Sequence, residues 1–396
     1  MGATAIGYEP VVPAAPPDAT PRPRSARSPL FDVIRIAAAL MVVFSHAYTT
    51  TGTHEPQPIR FGHDLGVTWG HIGVAIFFTT SGYLVAQSWQ RQPEGFWFLA
   101  KRAMRIWPAF LVTIALSVLV VGPIATDWSL RSYLTSDGAW SYLFHNAVMS
   151  PITFRLPGVF DHQPLSGVNG SFWTLPYEIG AYLGLLALGT ARLLRWWVLG
   201  VLLVVGLFFY DTSVANRTLV MHQHWNGLWL NNAVRLGVWF VAGVLIAHVA
   251  HLVVRRHLVA LGALVVAGVG IVTHQAALAI PPLACLVIYL GTLPCRPAER
   301  LHRLGDPSYG MYLSGFVIQQ FLVWAGLVHV HQPGLSFAEG LVAATAFGYA
   351  SWHLVEKRAM RLVKPRADEP APPSPEGSAE VVEPLEQMAH ALPLGA

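Results

Sequence analysis

Apolar runs about twenty residues long recur along nearly the whole chain, and no other feature restricts the fold as tightly. They fall at 31–50, 71–88, 103–123, 171–190, 196–210, 232–249, 257–273, 276–293, 308–328 and 338–356. A helix needs about 20 mostly apolar residues to cross a bilayer. Within hydrocarbon, only helices and closed barrels satisfy their own backbone polar groups. The expected fold is all-α: a polytopic transmembrane helical bundle of about ten helices. The run at 196–210 is short, and 138–150 reads as a further partial or re-entrant helix. Only 12% of the residues are charged, about half the share in soluble domains. Basic residues gather at the ends of apolar runs rather than on soluble helices, so the lipid bilayer is an expected partner and nucleic acid is not.

Residues 30–362 form the expected membrane domain. Residues 1–29, rich in Pro and Ala, and 363–396, rich in Pro and Glu, read as disordered tails. A cleaved signal peptide is not expected, because the first apolar run starts late and lacks a small-residue cleavage pattern. With the N-terminus inside, most of the 25 Lys and Arg fall in inner segments, including Arg22–Arg27, Arg91–Arg105, Arg296–Arg303 and Lys357–Arg366. An even number of spans puts both termini in the cytosol, in a plasma (inner) membrane. The Ala-, Val-, Arg- and Gly-rich composition points to a bacterium. Cys285 and Cys295 read as small buried hydrophobes, and no metal site is expected.

An ionisable group inside a span marks function by default. The first span holds Arg35 and His46, eleven residues apart. That spacing puts them on one helix face, roughly 16 Å apart along the axis. Arg35 is either a snorkelling anchor or a binding group; His46 is either a hydrogen-bonded core residue or a proton-exchanging one. In "HIGVAIFFTTSGYL" (71–84), Gly73 and Gly82 admit another helix or a narrow ligand, and Ser81 lies in the inner half. Arg102 and Arg105 are neighbours on a helix surface, suited either to anchoring or to clamping phosphate. Glu178, in "NGSFWTLPYEIGAYL", falls at the depth of His46 and could pair with it. Tyr309 and Tyr312 share a face. Glu356, followed by Lys357 and Arg358, reads most simply as a structural ion pair. The outer segments carry His54, His63, Asp64, Asp127, Asp161 and His162 with several aromatics, a surface suited to a hydroxylated ligand or simply to solvation.

Five pieces in this order resemble the acyltransferase-3 family of membrane enzymes. They are Arg35 with His46, "GVAIFFTTSGYL", the Arg102-x-x-Arg105 pair, "SFWTLPYE", and Ser351 through Glu356 and Lys357. The resemblance covers Phe31 to about Arg361. It implies acyl transfer from acyl-CoA, acetyl-CoA first, to a hydroxyl of a glycan or glycosylated acceptor, without a metal. It implies that His46 is catalytic, that Arg35, Arg102 and Arg105 serve the donor, and that Glu178 matches the family's acidic residue. The pantetheine arm is expected to pass Ser81. Trp173, Tyr309 and Tyr312 are candidate acceptor contacts. Many members carry His, often followed by Pro, where this chain has Gly315 and Val317, which suggests a subgroup with its own acceptor. Gln319 and Gln320 could supply polar contacts there. The alternative from another class is a transporter or flippase for a glycan or lipid-linked intermediate. Such proteins often show repeated halves, and no repeat is evident here.

Overall fold

The computed structural model describes residues 28–61, 65–216, 224–225, 228–254 and 256–363. The expected tails lie outside these residues except for Ser28, Pro29 and Val363, as do His63 and Asp64.

Every apolar run forms a helix. They are α1 (Leu30–Thr50), α2 (Trp69–Arg91), α3 (Gly95–Ala125, with a π turn at Ser117–Val121), α5 (Leu175–Thr190), α6 (Trp196–Asn216), α7 (Leu230–His248), α8 (His257–Val272), α9 (Ala276–Thr292), α11 (Ser308–Trp324) and α12 (Pro333–Ser351). The run at 138–150 is helix α4 (Asp137–Ala147), and a short α10 (Arg296–Leu304) precedes α11. By length and hydropathy α1, α2, α3 and α7 can each cross a membrane, and α9 with α10, bent by 85°, makes a fifth candidate. The only strands among the described residues are two hairpins, Ile59–Phe61 with Leu65–Val67 and His224–Trp225 with Leu228–Trp229. Leu258 and Val272 on α8 are 84% and 77% exposed, and Val204 and Phe208 on α6 are exposed as well. Apolar surface of that extent is stable in lipid rather than in water.

Small residues set the packing. A Cβ at Gly73 would lie 2.5 Å from the Ala38 carbonyl oxygen, and one at Gly82 would lie 2.2 Å from that of Phe240. From the other side, a Cβ at Gly243 would lie 2.2 Å from the Thr79 carbonyl oxygen. The glycines of α2 therefore receive the backbones of α1 and α7, not a ligand. This is the close approach that small residues permit in membrane bundles.

Buried amides pin the remaining helices. The Asn169 side chain accepts from the Ser171 N–H at 2.9 Å and donates to the Leu313 carbonyl at 2.7 Å, so the start of α5 is fixed on α11. Gln319 donates to the carbonyls of Val43 at 3.0 Å and Ser336 at 3.3 Å, and Gln320 to those of Leu165 at 2.5 Å and Gly167 at 2.7 Å. The side-chain NH2 groups of the two glutamines are thus committed to backbone, while each Oε1 is buried without a hydrogen-bond partner.

Candidate active site

The polar interior is layered. At the end of the bundle where α1 begins, Arg105 of α3 donates from Nη1 to Glu356 at 2.7 Å and from Nη2 to Asp306 at 2.9 Å. Both carboxylates are buried. Glu356 closes a π turn, Trp352–Glu356, whose extra residue rotates the helix face that follows. Ser351 donates to the same carboxylate at 2.9 Å. The Arg105 guanidinium also lies over the rings of Tyr309 and Trp352, at 5.5 and 5.8 Å. Arg35 shares Asp306 at 3.6 Å and donates from Nε to Ser308 Oγ at 3.3 Å. Glu356 forms the structural ion pair expected of it, with Arg105 as the partner. One expectation is corrected here. Arg105 does not stand ready beside Arg102 as half of a phosphate clamp, because two carboxylates occupy its donors.

Arg102 differs. It has no carboxylate within ion-pair distance among the described residues; its Nε is buried without a hydrogen bond, and its guanidinium lies 6.0 Å from the Tyr182 ring centre. Tyr182 donates to Glu178, its neighbour one turn earlier on α5, and shares a 2.9 Å hydrogen bond with Ser81 Oγ. Glu178 therefore sits with Ser81, Tyr182 and Arg102. The expected pairing of Glu178 with His46 is not made. The reason is that α5 begins deep in the bundle, after the 3₁₀ turn Gly170–Thr174, so its first turn reaches the arginine layer.

Beyond this layer lies an aromatic one. Arg35 stands 5.7 Å over the Phe77 ring, and Phe77 meets Tyr312 edge-on at 5.7 Å. His46 follows, roughly 16 Å from Arg35 along α1. Its ring packs edge-on against Phe316 of α11 at 4.9 Å, it is half-buried, and its buried Nδ1 has no hydrogen-bond partner. The tyrosines expected to contact an acceptor are occupied. Tyr309 donates to the Ile106 carbonyl at 3.0 Å, and Tyr312 donates to that of Ser171 at 2.6 Å and contacts the Thr174 hydroxyl. Trp173 is half-buried and edge-on to Tyr177 at 6.1 Å. A Cβ at Gly315 would lie 2.8 Å from Val43 Cγ2, so a histidine there would force α1 and α11 apart.

On the far side of His46, Ser45 donates to Glu55, which also accepts from the Trp69 N–H at 2.7 Å. Glu55 thereby caps the N-terminus of α2, where a carboxylate is favourable, while partial burial raises its pKa. His162 approaches Asp127 at 3.3 Å on the surface. Among the described residues no group of three His, Cys, Asp or Glu could hold a metal, and Cys285 and Cys295 are free thiols.

Sequence reasoning gave no role to Asp306, Ser308, Tyr182 or Phe77. Two of them left a signal. Asp306 is a carboxylate at the mouth of an apolar run and needs a cation. Tyr182 lies four residues after Glu178, on its face of the helix.

The family model described as an acyltransferase domain matches residues 29–353. An O-acetyl transferase of Shigella phage Sf6 is 28% identical over 352 residues, covering 86% of this chain and 98% of the relative. Nodulation protein 10 of Rhizobium leguminosarum bv. viciae is 31% identical over 366 residues, 84% and 93% of the two chains. The acyltransferase MdmB of Streptomyces mycarofaciens is 24% identical over 393 residues, 89% and 97%. No solved structure matches the chain significantly. On these matches the chain belongs to the acyltransferase-3 family and is a membrane O-acyltransferase.

Proposed function

We propose that this enzyme takes an acyl group, acetyl first, from cytosolic acyl-CoA and transfers it to a hydroxyl of a glycan or glycosylated acceptor at the outer face of a bacterial inner membrane. In this reading all ten long helices span the bilayer and both termini are cytosolic. The observation that carries it is the separation, within one bundle, of a guanidinium whose Nε has no hydrogen-bond partner among the described residues from an imidazole whose Nδ1 has none.

Each layer has a task. Arg102, with Arg35 beside it, holds donor phosphate at the cytosolic end. A cation kept in low dielectric with no direct ion pair binds an anion more strongly than a surface cation does. Ser81, Tyr182 and Glu178 line the way from there. The donor supplies an acyl thioester, whose long, thin pantetheine arm suits the narrow distance between the arginine layer and His46. The imidazole takes the proton of the acceptor hydroxyl as that oxygen attacks the carbonyl; such general-base help contributes about 10²–10⁴-fold. Arg105 acts through structure, by fixing Asp306 and Glu356. Of the three aromatic candidates, Trp173 is the one left for an acceptor, since the hydroxyls of Tyr309 and Tyr312 are engaged.

The test uses the purified chain in liposomes with labelled acetyl-CoA and candidate glycans. Label is expected on the glycan, and none with His46→Ala. Glycan movement across the bilayer without acyl transfer would favour the transporter reading instead.

A further inference from the structure

Helix α10 takes no part in the chemistry above. It leaves α9 at 85°, so where α9 runs along the membrane normal, α10 lies in the membrane plane. Its sequence, Arg-Pro-Ala-Glu-Arg-Leu-His-Arg-Leu, divides into three faces. At about 100° per residue, Arg296, Arg300 and Arg303 fall within a sector of roughly 60°. Pro297, Leu301 and Leu304 fill a second sector about 100° away, and Ala298 with His302 a third, a further 110° or so round. The third face meets the protein. Ala298 is buried, and His302 Nδ1 lies 2.5 Å from the buried Asp32 carboxylate of α1. The other two faces are open: Arg296, Arg300 and Arg303 are exposed, as are Leu301 and Leu304. Glu299, between the arginine face and the buried face, is the only acidic side chain on the helix.

We propose that α10 is an interfacial helix that binds anionic phospholipid headgroups. Its leucine face enters the acyl region beside the bundle, and its arginine face reaches outward to headgroup phosphates. An amphipathic basic helix of this kind is held in the interface by buried apolar area plus attraction to anionic lipid. The arginine face points away from the bundle, opposite the His302–Asp32 contact. A lipid phosphate therefore fits it better than does a soluble ligand entering the site.

The experiment is native mass spectrometry of the full-length protein in detergent, titrated with phosphatidylglycerol or phosphatidylcholine. It needs no acyl transfer, so its outcome is independent of the proposed reaction. The wild type is expected to prefer phosphatidylglycerol. Arg296→Gln/Arg300→Gln/Arg303→Gln should weaken that preference by about fivefold per arginine, towards ~100-fold in all. Because the triple variant could misinsert, two wild-type measurements stand beside it. Raising NaCl from low to high concentration should erase the preference, and millimolar inorganic phosphate should not. Equal retention of both lipids by the wild type, an unchanged preference in the triple variant or at high salt, or displacement of lipid by inorganic phosphate would each overturn the proposal.

Discussion

Arg102 and Arg105 are one turn apart on the same helix, yet they should fail in opposite ways when neutralised. Arg105 faces two buried carboxylates at 2.7 and 2.9 Å. Arg105→Gln leaves both in low dielectric without their counter-charge, and breaking a buried pair by removing one partner costs about 3–5 kcal/mol. In detergent this should lower the apparent melting temperature by on the order of 5–10 °C. Arg102 makes no ion pair among the described residues. Arg102→Gln removes a desolvated charge, so stability should change by about 1 kcal/mol or less. In the proposed reaction the loss appears in catalysis instead, because a charge-assisted contact to donor phosphate is worth about 1.5–3 kcal/mol. That is roughly a 10- to 100-fold rise in KM for acetyl-CoA. Thermal unfolding and steady-state kinetics on the same two preparations decide the matter. An Arg105→Gln protein that melts like the wild type, or an Arg102→Gln protein that melts early with an unchanged KM, would refute the division of labour.

Three further outcomes follow from the same geometry. His46→Gln should cut kcat by about 10²–10⁴-fold with little change in melting temperature, because Nδ1 has no hydrogen-bond partner to lose. Gly82→Ala should destabilise the fold and lower the yield of folded protein, since its Cβ would lie 2.2 Å from the Phe240 carbonyl; size-exclusion profiles in detergent would show this. For Glu55, burial raises the folded-state pKa above the unfolded value. Its contribution to stability is then complete below the unfolded pKa and is lost as pH rises through the raised one. The melting temperature of the wild type relative to Glu55→Gln should accordingly improve on going from pH 7 to pH 4.

The helices were legible because each needs only local information, a twenty-residue apolar run that lipid tolerates. The partners of the intramembrane charges were not. Arg105 meets Asp306 across 201 residues of chain and Glu356 across 251, and no local pattern encodes such a contact. That Glu356 would form an ion pair was legible from its place at the end of a span, but its partner was not; the π turn at Trp352–Glu356 presents it to Arg105. Likewise, the depth of Glu178 counted from an assumed span boundary placed it beside His46. What sets its depth is the anchoring of Asn169 on α11, which buries the start of α5.

The position of Glu178 changes what its substitution should do. A carboxylate bonded to a catalytic imidazole steadies the imidazolium and holds its tautomer, and losing it would depress kcat. Glu178 is bonded to Tyr182, beside Ser81 and Arg102, a layer away from His46. Glu178→Gln should therefore raise the KM for acetyl-CoA several-fold, through a displaced Tyr182, and leave kcat within about threefold of the wild type. A histidine with no carboxylate beside it has little to stabilise a stored proton. In the proposed reaction the proton that His46 takes from the acceptor hydroxyl would pass on to the departing thiolate, which leaves as a thiol, so that the site ends the cycle with the charge it began with. Stopped-flow and steady-state measurements on Glu178→Gln separate the two readings. If kcat fell as far as in His46→Gln while the KM for the donor stayed fixed, Glu178 would belong to the proton-transfer step, and the layered assignment of the site would be wrong.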